Sequence, residues 1–379
     1  MDAPLALYIH WPFCVSKCPY CDFNSHVRET VDVEAWRAAL LADMAHEATI
    51  LPGRTLGSIF FGGGTPSLMP PALVAALIEA AGCHWGFADD IEITLEANPN
   101  SVEVARFADL SKAGVNRVSI GVQSFEPGPL HFLGRAHDAD EARTAIEIAQ
   151  REFARVSFDL IYALPDQSLD QWERQLAHAL SFGTSHLSLY QLTIEPGTRF
   201  ETLVRRGDFT PTDPDHAADL FELTQQATGA AGIPAYEVSN HARPTHESRH
   251  NLAYWRYHDY AGIGPGAHGR RGAMATQRHK KPENWLEAVA RNGHGCQAET
   301  PLSPADQARE ALMMGLRLTE GVDMAALAKR LDLPIDQMID EAMLPRLCDM
   351  KLVEVERPFV RVSPAGLLLL DSILAELVL

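Results

Sequence analysis

From Ala6 onward, short β-rich runs alternate with stretches whose apolar residues recur at helical spacing, and six such pairs can be counted. The strand candidates are residues 6–10, 58–61, 91–96, 117–121, 155–162 and 186–192, and the helical ones that follow them are 33–50, 71–81, 102–113, 138–151, 169–182 and 215–231. In the first helical stretch Trp36, Leu40, Met44 and Ala48 share one face, while Arg37, Asp43 and Glu47 are expected to face water. Strand–helix alternation of this kind produces parallel strands joined by crossover helices, so the fold expected is α/β, a partial (β/α)6 TIM-like barrel. No repeat beyond this alternation and no low-complexity tract interrupts it.

After residue 290 comes RNGHGCQAETPLSP, rich in Gly, Pro and small polar residues, which reads as a boundary. The barrel is placed at 1–295 and a small α+β domain at 296–379, its first helix starting near Ser303. Helices are expected at 304–317, 323–331 and 334–349, then KLVEVER and FVRVSPAG as a β-hairpin, then a last helix from Ala365. That order resembles a winged helix. From Leu302 onward, however, 8 Lys/Arg stand against 13 Asp/Glu, which favours a packing or lid role over DNA binding.

Composition agrees with a folded globular protein: 379 residues, 46% hydrophobic, with room for a large core. A net charge of −18 repels phosphate backbones, so nucleic acid is not an expected partner. The opening MDAPLALYIHWPF has no basic stretch leading into a long apolar run, and no later run of ~20 apolar residues could span a bilayer. The expectation is a soluble, cytoplasmic protein.

Three of the six cysteines, Cys14, Cys18 and Cys21, cluster in C-x3-C-x2-C spacing just after the first strand, while Cys83, Cys296 and Cys348 stand alone and read as reduced structural thiols. A tight trio asks for a metal. Structural zinc wants four ligands, and His10 or His26 could supply the fourth. A [4Fe-4S] cluster is fully ligated by four cysteines, so three leave one iron open to a small molecule that offers an amine and a carboxylate.

Polar and glycine residues also collect at the carboxyl ends of the strands, where barrel enzymes build their sites. The cysteines follow the first strand, Gly62, Gly63, Gly64 and Thr65 the second, Glu96 closes the third, Gln123 follows the fourth, Asp159 lies in the fifth and Thr193 follows the sixth. GGGTP is no phosphate loop, because proline stands where that loop has Lys-Ser or Lys-Thr; its glycines would let the backbone approach a ligand.

C-x3-C-x2-C with Tyr20 before the last cysteine, together with GGGTP, resembles the radical S-adenosylmethionine (SAM) superfamily, in which the open iron takes the methionine part of SAM. The resemblance implies a [4Fe-4S] cluster on Cys14, Cys18 and Cys21. It implies SAM contacts at Tyr8, Tyr20, Gly63, Gly64, Thr65, Glu96 (within EANP), Gln123, Arg135 and Asp159. GVQSF at Gly121, DLIYALPDQ at Asp159, LSLYQLTIEPGT at Leu187 and the C-terminal segment look like the oxygen-independent coproporphyrinogen III oxidase group. Its oxidases carry a further cysteine two positions past the third ligand and an extension ahead of the cluster; here that position is Phe23, and 13 residues precede Cys14. Both departures point to the HemW-type branch, whose members bind heme and pass it on. HNLAYW resembles the motif tied to heme there, which makes His250 a candidate axial ligand, with His258 and His268 nearby and GIGPGAHG at Gly262 as flexible backbone. The expected partners are thus heme, a heme-acceptor protein and a reductant such as a flavodoxin or ferredoxin. The rival readings are a coproporphyrinogen III dehydrogenase and a zinc-stabilised interaction protein.

Overall fold

Parallel strands covered on both faces usually read as unbroken apolar runs; these alternate. A computed structural model of the chain describes residues 3–379 and shows what the alternation is for. The first strand, β1 (Leu5–Trp11), leads into a short parallel ladder of β2 (Phe13–Cys14) and β3 (His26–Val27). Strands β4 (Leu56–Gly63), β5 (Phe87–Ala97), β6 (Arg117–Gln123), β7 (Arg155–Tyr162) and β8 (His186–Gln191) then add to β1 in sequence order, all parallel. These are the six strands expected from the sequence. On one face Leu7, Ile9, Ile59, Phe61, Leu95, Val118, Ile120, Phe158 and Leu187 join a single buried cluster with helical Leu40, Met44, Leu77, Ile146 and Leu176. The alternate positions, Tyr8, Ser58, Glu92, Glu96, Arg117, Ser119, Asp159 and Ser188, put polar groups on the other face.

Five further strands extend the sheet. β9 (Asn240–Ala242) pairs antiparallel with β8, and β10 (Tyr260–Ile263) runs parallel to β1 on its other side. From β10 the sheet continues antiparallel through β11 (His268–Arg271), β12 (Met274–Arg278) and β13 (Cys296–Pro301). Residues 296–301, read from sequence as the start of the second domain, are therefore the last strand of the large sheet.

Sequence-encoded caps fix the helices. Asp138 with Glu141, Ser168 with Gln171, and Ser303 with Asp306 form capping boxes at Ala139–Glu152, Leu169–Ser181 and Pro304–Gly315. The stretch at 102–113 divides into Ser101–Val104 and Phe107–Lys112. Asp43 and Glu47 correct the water-facing expectation, for both are fully buried. Strand β10 and the helix Pro282–Asn292 pack on the second side of Val33–Ile50, and Arg278 of β12 reaches in to pair with both carboxylates. Asp43 also accepts from Gly264 N, Gly295 N and Trp285 Nε1.

The C-terminal region has its own core. Helices Pro304–Gly315, Met324–Leu331 and Met343–Asp349 surround a small antiparallel sheet of β14 (Val322–Asp323), β15 (Val353–Glu356) and β16 (Phe359–Val362), and Leu370–Leu377 closes it. The expected helix at 334–349 is broken because the Asp340 carboxylate caps Ala342 and Met343. Tyr257 plugs this core, with the Arg270 guanidinium 3.5 Å above its ring. No helix among the described residues is long and apolar enough to cross a membrane.

Removing the Arg278 cation leaves buried Asp43 with neutral donors alone and Glu47 with only the longer Arg271 pair, 3.7 Å away. Arg278→Met is expected to lower unfolding free energy by about 3–5 kcal/mol in chemical denaturation, whereas Arg143→Ala, on an exposed helix pair with Asp140, should change it by under about 0.5 kcal/mol.

Candidate functional site

The β2–β3 ladder sets Phe13 opposite His26 and Cys14 opposite Val27, so the segment between them closes into a loop carrying all three cysteines. Cys21 N donates to Cys18 O at 3.2 Å within it, and Phe200 N donates to Pro19 O at 3.0 Å from outside. The three thiols are free and half-buried. Burial pushes the Cys14 and Cys21 thiols up, while the Thr65 hydroxyl at Cys14 and the Phe23 backbone at Cys21 work the other way. Thr65 Oγ1 lies 3.5 Å from Cys14 Sγ and one Arg135 nitrogen 3.5 Å from Cys18 Sγ. Hydrogen-bond donors aimed at cysteine sulfurs suit thiolates, the form that holds iron. These residues fit a cluster.

The glycine run earns its composition differently from the expected ligand approach. A Cβ on Gly62 would meet the Tyr8 ring at 2.8 Å, one on Gly63 (φ +116°) the His10 ring at 2.6 Å, and one on Gly64 the Phe13 carbonyl oxygen at 2.7 Å. Glycine here lets β4 close directly onto β1 and the root of the cysteine loop. Gly63 N donates to Glu96 Oε2 at 3.2 Å, Gly64 N to Trp11 O at 2.7 Å and Thr65 N to Phe13 O at 2.8 Å. His10 Nε2 donates to Asn24 O at 2.9 Å, which leaves Nδ1 to accept from Tyr8 Oη at 2.9 Å. Burial holds His10 neutral, its pKa lowered to about 4.

Tyr8, Tyr20, Glu96, Arg135 and Asp159 are each partly accessible to solvent, yet protein surrounds them. They line a recess that water can enter. Burial, then repulsion from Asp159, raises the Glu96 carboxyl to about 8; burial raises Asp159 to about 6 against hydrogen bonds from Ser188 and Ser119, the latter 3.2 Å away. Gln123 sits at φ +67° where the β6–β7 register shifts, and its buried Oε1 has no partner. Arg135 is no ordinary surface arginine: it donates to Asn98 Oδ1 at 2.6 Å, Gly121 O at 2.7 Å and Tyr20 Oη at 3.4 Å. A recess with two carboxyls, an arginine and an orphaned amide oxygen suits a small ligand that carries both charges.

Sequence reasoning passed over Asn98, Ser25 and Asn24. Asn98 joins Arg135 to Thr65 and the buried Glu103, and its position inside EANP was the available signal. Thr193, expected at the same end, is exposed and bonds only to Gln191 O.

His250 lies beneath the recess, its ring centroid 6.3 Å from that of Tyr8. It is 1% exposed, stacks on Phe60 at 4.9 Å, donates from its backbone N–H to Glu92, and has both ring nitrogens occupied, by Ser58 Oγ at 3.0 Å and Tyr254 Oη at 2.7 Å. Burial lowers its pKa to about 3. Ser58 precedes Gly62 by four positions on β4, about 13 Å at ~3.3 Å per residue, so HNLAYW packs at the amino end of the strands, away from the cysteines. Iron could reach this imidazole only if one of those two bonds were released.

Comparison with known proteins agrees with this architecture. Residues 8–178 match the radical SAM superfamily and residues 302–369 the HemN C-terminal domain. The heme chaperone HemW of Escherichia coli is 40% identical over 352 residues, spanning 90% of each chain. The chain belongs to the HemW family of radical SAM proteins. Radical S-adenosyl methionine domain-containing protein 1, mitochondrial, of Bos taurus is 42% identical over 84% of this chain and 74% of its own. Among solved structures, coproporphyrinogen III oxidase (HemN) from Escherichia coli superposes with a TM-score of 0.84 over 99% of this chain and 90% of that one, at 24% identity. The HemW-family chain thus shares its whole fold with that oxidase. Superfamily membership implies the [4Fe-4S] cluster and SAM, which displaces zinc as the reading of the three cysteines.

The Glu96 carboxyl gives a test of the recess. With its folded pKa near 8 against an ordinary ~4.3 when unfolded, the native state binds more protons between those values. Stability contributed by this group is present below the lower pKa and lost as pH rises through the upper one. Denaturation midpoints of the cluster-free protein should therefore fall from pH 5 to pH 8, and Glu96→Gln should flatten that slope; an unchanged slope would place the titration on another group.

Proposed function

We propose that this protein is a heme chaperone built on the radical SAM fold: it holds one [4Fe-4S] cluster on Cys14, Cys18 and Cys21, binds SAM beside it, and carries heme to an acceptor protein in the cytoplasm. The observation that carries the reading is the match to the Escherichia coli heme chaperone HemW across 90% of both chains. Phe23, 56% exposed on the cysteine loop where the resembling oxidases have another cysteine, supports it against the oxidase reading.

When bound, the cluster supplies a one-electron donor and an iron site open to chelation. The chain's own residues shape what surrounds it. Thr65 and Arg135 donate toward the sulfurs of Cys14 and Cys18 and favour their thiolate forms. Glu96, once it gives up its proton, offers a carboxylate to the ammonium of SAM, Asp159 offers two acceptor oxygens to ribose hydroxyls, and the free Gln123 Oε1 accepts from the adenine or sugar. Tyr20, packed on Phe200 at 6.3 Å, walls the recess next to Cys21.

Anaerobic reconstitution with iron and sulfide should give about four irons per chain, and Cys14→Ala should abolish that uptake. Incubation of the loaded protein with coproporphyrinogen III, a reductant protein and SAM should yield no protoporphyrinogen; clear product formation would replace the chaperone reading with the dehydrogenase. Zinc as the sole metal would remove the cluster altogether.

Heme ligation by His250 requires the helix Arg249–Trp255 to swing away from Ser58, because the imidazole is closed off from solvent. Heme titration should accordingly raise amide hydrogen exchange in residues 249–255, and His250→Ala should weaken heme binding through the loss of one axial ligand. Unchanged affinity in that variant, with the helix still protected, assigns the iron ligand to another residue.

A further inference from the structure

Asn24, three residues past Cys21, ties the end of the cysteine loop to a distant part of the chain. Its amide donates one hydrogen to Pro265 O and the other to Lys280 O, each at 2.9 Å and 241 and 256 residues away. Its Oδ1 accepts from His26 Nε2 at 3.3 Å, and its backbone oxygen from His10 Nε2 at 2.9 Å. The turn that receives it, Gly264, Pro265 and Gly266, joins β10 to β11. At Gly266 (φ +79°) a Cβ would lie 2.5 Å from Asn24 Nδ2, and at Gly264 (φ +91°) one would lie 2.4 Å from His10 O. Both positions need glycine for backbone conformation and for close approach. Buried Asp43 fixes the turn from behind by accepting from Gly264 N at 3.2 Å.

This places the exit of the loop under control of a distant part of the sheet. Its entry is already held, because Cys14 pairs with Val27 and accepts from Thr65. Between them, Cys18 and Cys21 sit on a turn with one backbone bond of its own. Three sulfurs that must meet three iron atoms need their spacing set before the metal arrives, since ordering the loop at that moment costs conformational entropy.

We propose that Asn24 is a positioning residue that docks the cysteine loop into the Gly264, Pro265, Gly266 turn and thereby fixes Cys21 relative to Cys14 and Cys18. The inference rests on the cluster reading above. It explains GIGPGAHG as a socket for the loop, whereas the sequence suggested flexible backbone near a ligand. It also separates donation from shape: Asn24→Asp keeps the outline of the side chain but turns a carboxylate toward two carbonyl oxygens, while Asn24→Ala removes those two bonds and the one from His26.

The test uses the full chain, reconstituted anaerobically, as wild type, Asn24→Asp, Asn24→Ala and Gly266→Ala. Iron and sulfide content, the electron paramagnetic resonance spectrum of the reduced protein, and hydrogen exchange of residues 14–27 before reconstitution are measured. Asn24→Asp should lower cluster affinity about 10- to 100-fold, more than Asn24→Ala. Both should loosen exchange in the cluster-free loop, and any cluster that loads should show an altered spectrum; Gly266→Ala should reproduce these changes from the far side of the contact. Wild-type loading and spectrum in Asn24→Asp would overturn the proposal, as would global unfolding of all three cluster-free variants, which would make the contact a general folding element. A wild-type chain that takes up no cluster while Asn24→Ala still loosens the loop would show that the cluster reading has failed and the docking contact has not.

Discussion

Direct contact between β4 and the root of the cysteine loop is the constraint on which the rest of the site depends. Gly62, Gly63 and Gly64 leave no space for a Cβ against Tyr8, His10 and Phe13, so the second strand of the sheet and the end of the first meet with nothing between them. That approach brings Thr65 to Cys14 and points Gly63 N at Glu96. Through Asn98, Thr65 is in turn connected to Arg135, which reaches Cys18 and Tyr20. Any side chain added to the triplet would separate the thiols from the recess they serve.

The sheet supports this by dividing its two faces. Apolar residues on one face seal against helices, and the other keeps carboxyls, hydroxyls and guanidinium groups in a recess where burial raises Glu96 and Asp159. Buried polar groups are costly unless they are bonded or have a ligand to meet. Most here are bonded; the Gln123 amide oxygen and the Ser25 hydroxyl are not. Both stand beside the loop or the recess, where a charged cofactor would find them.

Much of this was legible from residues alone because local patterning and global fold agree. Short β-rich runs placed the six parallel strands within four residues at their ends, and the helices expected at 138–151, 169–182 and 304–317 are the ones that Asp138, Ser168 and Ser303 cap. The antiparallel extension was hidden because its strands are short and rich in Gly, Arg and His, with RNGHGCQAETPLSP reading as a linker. Missing it hid the reason that Asp43 and Glu47 are buried, since Arg278 lies 235 and 231 residues away from them. At the site, motifs located the cysteines, Glu96, Gln123, Arg135 and Asp159 at one end. What they could not show is direction: His250 sits in a recognisable motif, yet its ring turns inward to Ser58 and Tyr254.

The proposed function depends on a cluster with one iron that no residue of the chain ligates. Mössbauer spectroscopy of protein reconstituted with enriched iron, recorded before and after addition of SAM, addresses this most directly. We predict that one iron of the four changes its isomer shift when SAM is added and that the other three keep theirs. Four equivalent irons indifferent to SAM would mean that the chain supplies a fourth ligand, and would contradict the account.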